Sequence, residues 1–191
     1  PIINWHDSMR DYGCDKPDLR IPLKLIEISE LVKDEEFKVF AEPAKDSNSR
    51  VVALKIPGGN SLSRGQIDDY ANFVTKLGAK GLAYIKVNDK SDIKNGLQSP
   101  ILKFLKNETI SSLISDLDLE NDDLLFFGAG KKSVVNLSMS SLIKKIGEDL
   151  SLYQMKWAPC WVVNFPMFER NTDGDLTSLH HPFTLPDCSS S

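Results

Sequence analysis

Two adjacent imidazoles, His180 and His181, lead into Pro182, Phe183 and Thr184. This run is the part of the chain best equipped for chemistry. Near neutral pH an imidazole can donate a hydrogen bond or carry a positive charge, which suits it to a carboxylate or a phosphate. Pro182 fixes its own backbone and restricts that of His181, so the spacing predicts a loop that presents polar groups to an anionic ligand. A His pair on its own is more often inert surface, and the rest of the chain has to decide between the two readings.

Other chemistries find little support in the sequence. Cys14, Cys160 and Cys188 lie far apart and form no C-x-x-C pair, and His6 is the third and last histidine. A zinc site is therefore not expected, and a reducing cytoplasm is the simplest compartment. Gly58-Gly59 and Gly128-Ala129-Gly130-Lys131-Lys132 suggest phosphate loops, but the second lacks P-loop spacing, with Ser133 one place late. It reads instead as a strand-to-helix turn with exposed lysines. Lys76, Lys80 and Lys86 read as solvated surface, with a weak RNA-facing patch as the alternative.

The chain has 191 residues, 41% hydrophobic and 26% charged, and a net charge of −4. That is enough apolar material for one or two domains with a real core. The acidic balance supplies no global field for nucleic acid, and DNA is not an expected partner. No apolar run approaches the roughly 18 residues of a membrane span. The absence of an initiator Met and the ending Cys188-Ser189-Ser190-Ser191 suggest a segment of a longer protein.

The elements that would position the His pair follow from periodicity. The first twenty-odd residues read as irregular. Ile28, Leu31 and Val32 fall at helical spacing, and Phe37, Val39 and Ala41 alternate with Lys38, Phe40 and Glu42, which predicts a strand. Val51 to Ile56 is rich in β-branched residues, so a hairpin is expected across the polar run 43–49. Ser63 and Gln66 match a capping box ahead of Ile67, Tyr70, Ala71, Val74 and Leu77, with Gly78 as a stop. Leu82 to Val87 is the next strand, so a crossover helix should lie on a sheet. Pro100 starts a short helix. Ile110, Leu113, Ile114 and Leu117 mark another helix, Leu124 to Phe127 a buried strand, and Val135 to Leu150 the longest helix. Cys160 to Phe165 predicts a last strand. Trp157, Trp161, Phe165, Phe168 and Phe183 crowd a flank too short to cover them, so exposed apolar surface is expected.

Several of these segments carry a family resemblance. Asp15-Lys16-Pro17-Asp18-Leu19-Arg20 resembles the stretch after the second class II motif in bacterial aspartyl-tRNA synthetases. Phe37 to Ala41, Val51 to Ser61 and Gly78 to Val87 resemble the insertion domain of those enzymes, the GAD domain, which is shared with the B subunit of the tRNA-dependent amidotransferase. Lys156 to Pro159, Phe165-Pro166-Met167-Phe168-Glu169 and the His180 to Thr184 run resemble the return into the catalytic domain.

The resemblance implies an α+β fold. Residues 29–150 would be a compact GAD-like insertion domain with helices packed on a mixed sheet. Residues 1–28 and 151–191 would be strips of a class II antiparallel-sheet catalytic domain. It implies a cytoplasmic aspartate–tRNA ligase, homodimeric, acting on L-aspartate, ATP and tRNA for Asp or also for Asn, with Mg²⁺. His180 is implied to contact aspartate or its adenylate, and His181 to orient the same ligand. Phe183 and Thr184 would support the loop. Glu169 either faces the site or is a solvated carboxylate, and Asp18 with Arg20 forms a loop-shaping ion pair. The Phe-Arg-Asp-Glu and Gly-Gly-Gly-Ser runs that would bind ATP are absent from the sequence. No catalytic group and no metal ligand is therefore assigned within it. The alternatives are a tRNA-docking module related to the amidotransferase B subunit and a scaffold for subunit contact.

Overall fold

The run Val51-Val52-Ala53-Leu54 has no polar residue to send to solvent, so the strand containing it must be covered on both faces. The structure, a computed structural model describing residues 1–93, 95–170 and 174–181, meets that demand with three layers. In chain order the described elements begin with β1 (Ile2–Asn4), α1 (Trp5–Tyr12), β2 (Leu25–Glu27), α2 (Ser29–Val32), α3 (Lys38–Lys45) and β3 (Ser49–Ile56). Then come α4 (Arg64–Lys76), β4 (Ala83–Val87), β5 (Leu97–Gln98), α5 (Asn107–Asp116) and β6 (Leu124–Lys131). The chain continues through α6 (Lys132–Asp149), β7 (Trp161–Val163), β8 (Phe168–Arg170) and β9 (Leu176–Ser178).

The fold is α+β. Five strands form one sheet in the order β2-β3-β6-β4-β5. The crossover helix α4 leaves β3 and β4 running in the same direction, but β6 lies between them, so every pairing in this sheet is antiparallel. Leu124 and Phe126 of β6 point into one core with Ile67, Tyr70 and Val74 of α4 and Met139, Leu142 and Ile146 of α6. Leu125 and Phe127 point into the other, with Val32 of α2, Phe40 of α3 and Ile110 and Leu113 of α5. Ile21, Leu23, Leu25 and Ile28 join these clusters from the N-terminal side of residue 29.

Local signals explain most of the elements. Ser63 Oγ accepts from the Gln66 N–H at 3.3 Å, and Gln66 Oε1 accepts from the Ser63 N–H at 2.9 Å, closing the capping box of α4. Gly78 follows that helix with φ +96°. Three expectations are corrected. Residues 37–41 do not form a strand: Lys38–Lys45 is helical. Phe37, Phe40, Ala41 and Ala44 sit at i, i+3, i+4 and i+7 and are the inward-facing set, whereas Val39 is 53% exposed. The partner of β3 is therefore β2, paired Ile26 to Ala53, and not a hairpin arm. The first residues are not irregular either. Asn4 Oδ1 accepts from the His6 N–H at 3.0 Å, and Gly13, with φ +68°, closes the other end of α1. Finally, Pro100 opens no α-helix. A single 3₁₀ turn, Leu102–Phe104, follows it.

Charged side chains in the body serve helix and turn ends. Lys86 is half-buried, donating from Nζ to Asn60 O at 2.8 Å and Leu62 O at 2.6 Å, so it is not the solvated lysine expected. Glu35 is buried and takes the place of an N-cap for α5. Its carboxylate accepts from the Lys106 N–H at 3.0 Å and from the Thr109 hydroxyl. Lys106 itself occupies the N-cap position, and its side chain cannot accept. Glu35→Ala strands the buried Thr109 hydroxyl and the part-buried Lys106 N–H, and we predict a loss of about 1–3 kcal/mol in urea unfolding. Glu35→Gln, which keeps an acceptor oxygen, should lose less. Equal, near-zero losses in both variants would contradict the capping role.

Candidate ligand-binding cleft

The two ends of the chain meet beside the body. β1 and β7 pair in parallel, Ile3 opposite Val162, and the Trp161 N–H donates to Pro1 O at 3.0 Å. From β1 the chain enters α1, turns at Gly13 and runs through Cys14 into Asp15-Lys16-Pro17. Ser8 Oγ fastens that turn by donating to Cys14 O at 2.7 Å, and burial pushes the Cys14 thiol up. Asp15, Lys16 and Pro17 then face Ala158, Cys160, Val162 and Phe165 across a cleft of about 440 Å³.

The loop below the cleft is held by Asp18 and Arg20. Arg20 Nε donates to Asp18 Oδ1 at 2.8 Å and Nη2 to Oδ2 at 2.6 Å, a two-point pairing. The guanidinium lies 4.8 Å from the centre of the Tyr153 ring, and Arg20 O accepts from the Gln154 N–H at 3.0 Å. The loop is thereby tied to the segment leaving α6. This is the ion pair the sequence suggested.

His180 is not among the residues lining the cleft, but its ring touches Phe165, which is. The hairpin of β8 and β9 pairs Glu169 with Thr177, and Ser178 Oγ donates to His180 O at 2.9 Å. The half-buried His180 ring meets the Phe165 ring edge-on at 5.6 Å between centroids, 75° between planes. His181 is exposed. Glu169 is exposed on the hairpin and is not among the cleft-lining residues. Phe183 and Thr184 lie outside the described residues. Segments separated by about 150 positions, Asp15 to Pro17 and Phe165, are thus neighbours, with His180 packed on Phe165. A larger groove of about 550 Å³ runs beside β2, lined by Tyr12, Ile21, Leu23 and Lys24 among others, and holds none of the candidate residues.

The GAD domain family model matches residues 40–139, more than half of the chain. The chain belongs to the GAD-domain family. GAD domains are typical of aminoacyl-tRNA synthetases and of proteins like the amidotransferase B subunit, so this is a tRNA-synthetase-related or tRNA-binding module. The match covers α3, β3, α4, β4, β5, α5, β6 and the first part of α6, which are the body and not the cleft.

Within the GAD domain the glycine run expected to be a strand-to-helix turn is strand. Val52 pairs with Gly128 and Arg50 with Gly130. Gly128 is there for α6: an added Cβ would stand 2.7 Å from Met139 Cγ. No helix among the described residues is long and apolar enough to cross a membrane. The polar side chains lining the cleft, Asp15, Lys16 and Cys160, do not fit Mg²⁺-ATP. A triphosphate calls for several cations and Mg²⁺ for several oxygen ligands, so no nucleotide step is assigned to these residues.

The Asp18–Arg20 pair makes a pH prediction. The hydrogen bond from Arg20 holds the Asp18 carboxyl below the usual carboxylate range. A depressed pKa contributes stability that is present above the unfolded value of about 4 and is lost as pH falls through the folded value. Wild type and Asp18→Asn should therefore differ in urea midpoint at neutral pH and converge as the pH drops below about 4. A gap that stays constant with pH would rule out the ion pair as its source.

Proposed function

We propose that the chain is an internal part of an aspartate–tRNA ligase of bacterial type. The GAD body would lie between two strips of class II catalytic domain. One observation supports the reading above the others: the three flank segments that resemble that enzyme are brought together in space. Asp15 to Pro17, Ala158 of the Lys156 to Pro159 run, and Phe165 line one cleft, and the ring of His180 packs on Phe165. In this reading His180, seated on Phe165, donates to the carboxylate of L-aspartate, and the exposed His181 orients the same ligand from outside. Donors fixed in place before the ligand arrives are what a reaction that concentrates negative charge requires. ATP with Mg²⁺ and tRNA would be the other reactants, with their binding groups contributed outside the cleft residues named here. The ligase would work in the cytoplasm as a homodimer.

A tRNA-docking module related to the amidotransferase B subunit fits the match at 40–139 equally well. It gives no account of the His180 run or of the cleft. The enzyme reading is tested in the full-length ligase by aspartate-dependent pyrophosphate exchange. His180→Ala should lower exchange by about one to two orders of magnitude, the worth of a hydrogen bond to a charged group. His181→Ala should lower it less. Unchanged exchange in His180→Ala would defeat the assigned role.

A further inference from the structure

Arg50 is 5% exposed, among the most buried charged residues described, and it sits where the GAD body meets the end of α1. From β3, its Nε donates to Glu27 Oε2 on β2 at 2.9 Å and its Nη1 to Asn136 Oδ1 on α6 at 2.8 Å. The remaining donors leave the body. Nη1 reaches Met9 O at 3.1 Å and Nη2 reaches Arg10 O at 2.9 Å. Both carbonyls belong to the last turn of α1, where partial negative charge collects, and Met9 O also accepts from the Gly13 N–H at 3.2 Å. A guanidinium keeps its charge even when buried, so Arg50 acts as a C-terminal cap supplied by another element.

Gly13 secures the same joint sterically. Its φ is +68°, and a Cβ added there would lie 2.7 Å from Asn136 O. The turn that ends α1 is thus pressed directly on α6. The cleft hangs from this joint. At one end α1 follows β1, which pairs with β7 and so carries the wall of Cys160 and Val162. At the other end it leads through Cys14 into Asp15 to Pro17, the opposite wall. A second tie, Arg20 with Tyr153 and Gln154 after α6, uses a side chain 39% exposed and is correspondingly weaker.

We propose that Arg50 is the positioning residue through which the GAD body sets the geometry of the flanking cleft. The body holds α1, and α1 holds both walls. The functional meaning of this coupling rests on the reading of the cleft given above, but the coupling itself is measurable without any ligand.

The test is hydrogen exchange on the 191-residue chain. In Arg50→Ala, amides of residues 2–4, 14–16 and 161–163 should exchange at least about tenfold faster, while those of 124–127 in the central strand change far less. Arg50→Lys should recover part of the protection, since an ammonium can still donate to the α1 carbonyls. An equal acceleration at all of these sites, or none in the flank, would overturn the proposal. If Arg50→Ala does not fold, Gly13→Ala strains the joint while leaving the Glu27 contact in place. It should open the same segments, and protected segments in that variant would overturn the proposal. If flank exchange separates from the sheet as expected while His180→Ala leaves pyrophosphate exchange intact, the coupling stands and the ligase reading falls. The reverse pattern removes the coupling alone.

Discussion

The placement of β6 between β3 and β4 is the constraint on which the rest of the molecule depends. Two strands joined by a crossover helix would otherwise pair with each other. Here each pairs with β6, and the sheet becomes antiparallel with both faces buried. The price is that β6 must be apolar on both sides, and Leu124-Leu125-Phe126-Phe127 meets that demand. Phe126 packs on Tyr70 of α4 at 5.9 Å, and Phe127 packs on Phe40 of α3 at 5.4 Å. One strand thus locks helices on opposite faces. Gly128 continues it where a larger residue would push α6 away from the sheet.

A second regularity follows from the first. Since both faces of the sheet are covered, a charged side chain on an inner strand cannot easily reach water and must find partners among backbone groups. Helix and turn ends supply them. Arg50 caps the last turn of α1, and Lys55 on the same strand donates from Nζ to the carbonyls of Leu117 and Asp118 at the end of α5. Lys86 of β4 does the same for the turn at Asn60 to Leu62. The cations of the sheet are therefore arranged to meet C-terminal carbonyl groups, and the buried carboxylate of Glu35 meets the N-terminal donors of α5. Charge and helix polarity agree at each place.

The sequence was informative wherever a signal is local. The capping box at Ser63, the stripes of α4, α5 and α6, and the apolar runs of β3 and β6 depend on neighbours within a few residues, and the structure has them. The Phe37 segment failed because Phe37, Val39 and Ala41 also fit a period of two. Only burial distinguishes Phe40 and Ala41 from Val39. Helix α1 was missed although Asn4 and Gly13 are both favoured caps, because its eight residues bury little apolar surface and Ser8, at 0% exposure, sits on its inner side. Of the cleft, Asp15 to Pro17, Ala158 and Phe165 lie in runs that could be picked out by resemblance. Arg50 and Glu35 could not. Their partners lie 23 or more positions away in sequence, and a lone charged residue in a strand or loop looks like surface until the other side is present.

The exposed aromatics bear on how the flanks are held. Trp157 and Trp161 are 77% and 76% exposed and Ile2 is 73% exposed, in line with the crowding read from the sequence. The β1–β7 pair is therefore a two-stranded parallel ribbon that hides little of its own apolar surface, an arrangement of marginal stability by itself. Apolar burial within the flank cannot be what fixes the cleft. Beside the packing of Ile21 and Leu23 on the body, the fixed points are polar: the guanidinium of Arg50 on the α1 carbonyls, Ser8 on Cys14, and Arg20 between Asp18 and Tyr153. Such contacts are directional, and they specify an angle more closely than hydrophobic packing does. The site proposed above, which presents His180 to a small anion, depends on such angles, and in this chain the body supplies one of the two buried contacts among them, Arg50, with Ser8 the other.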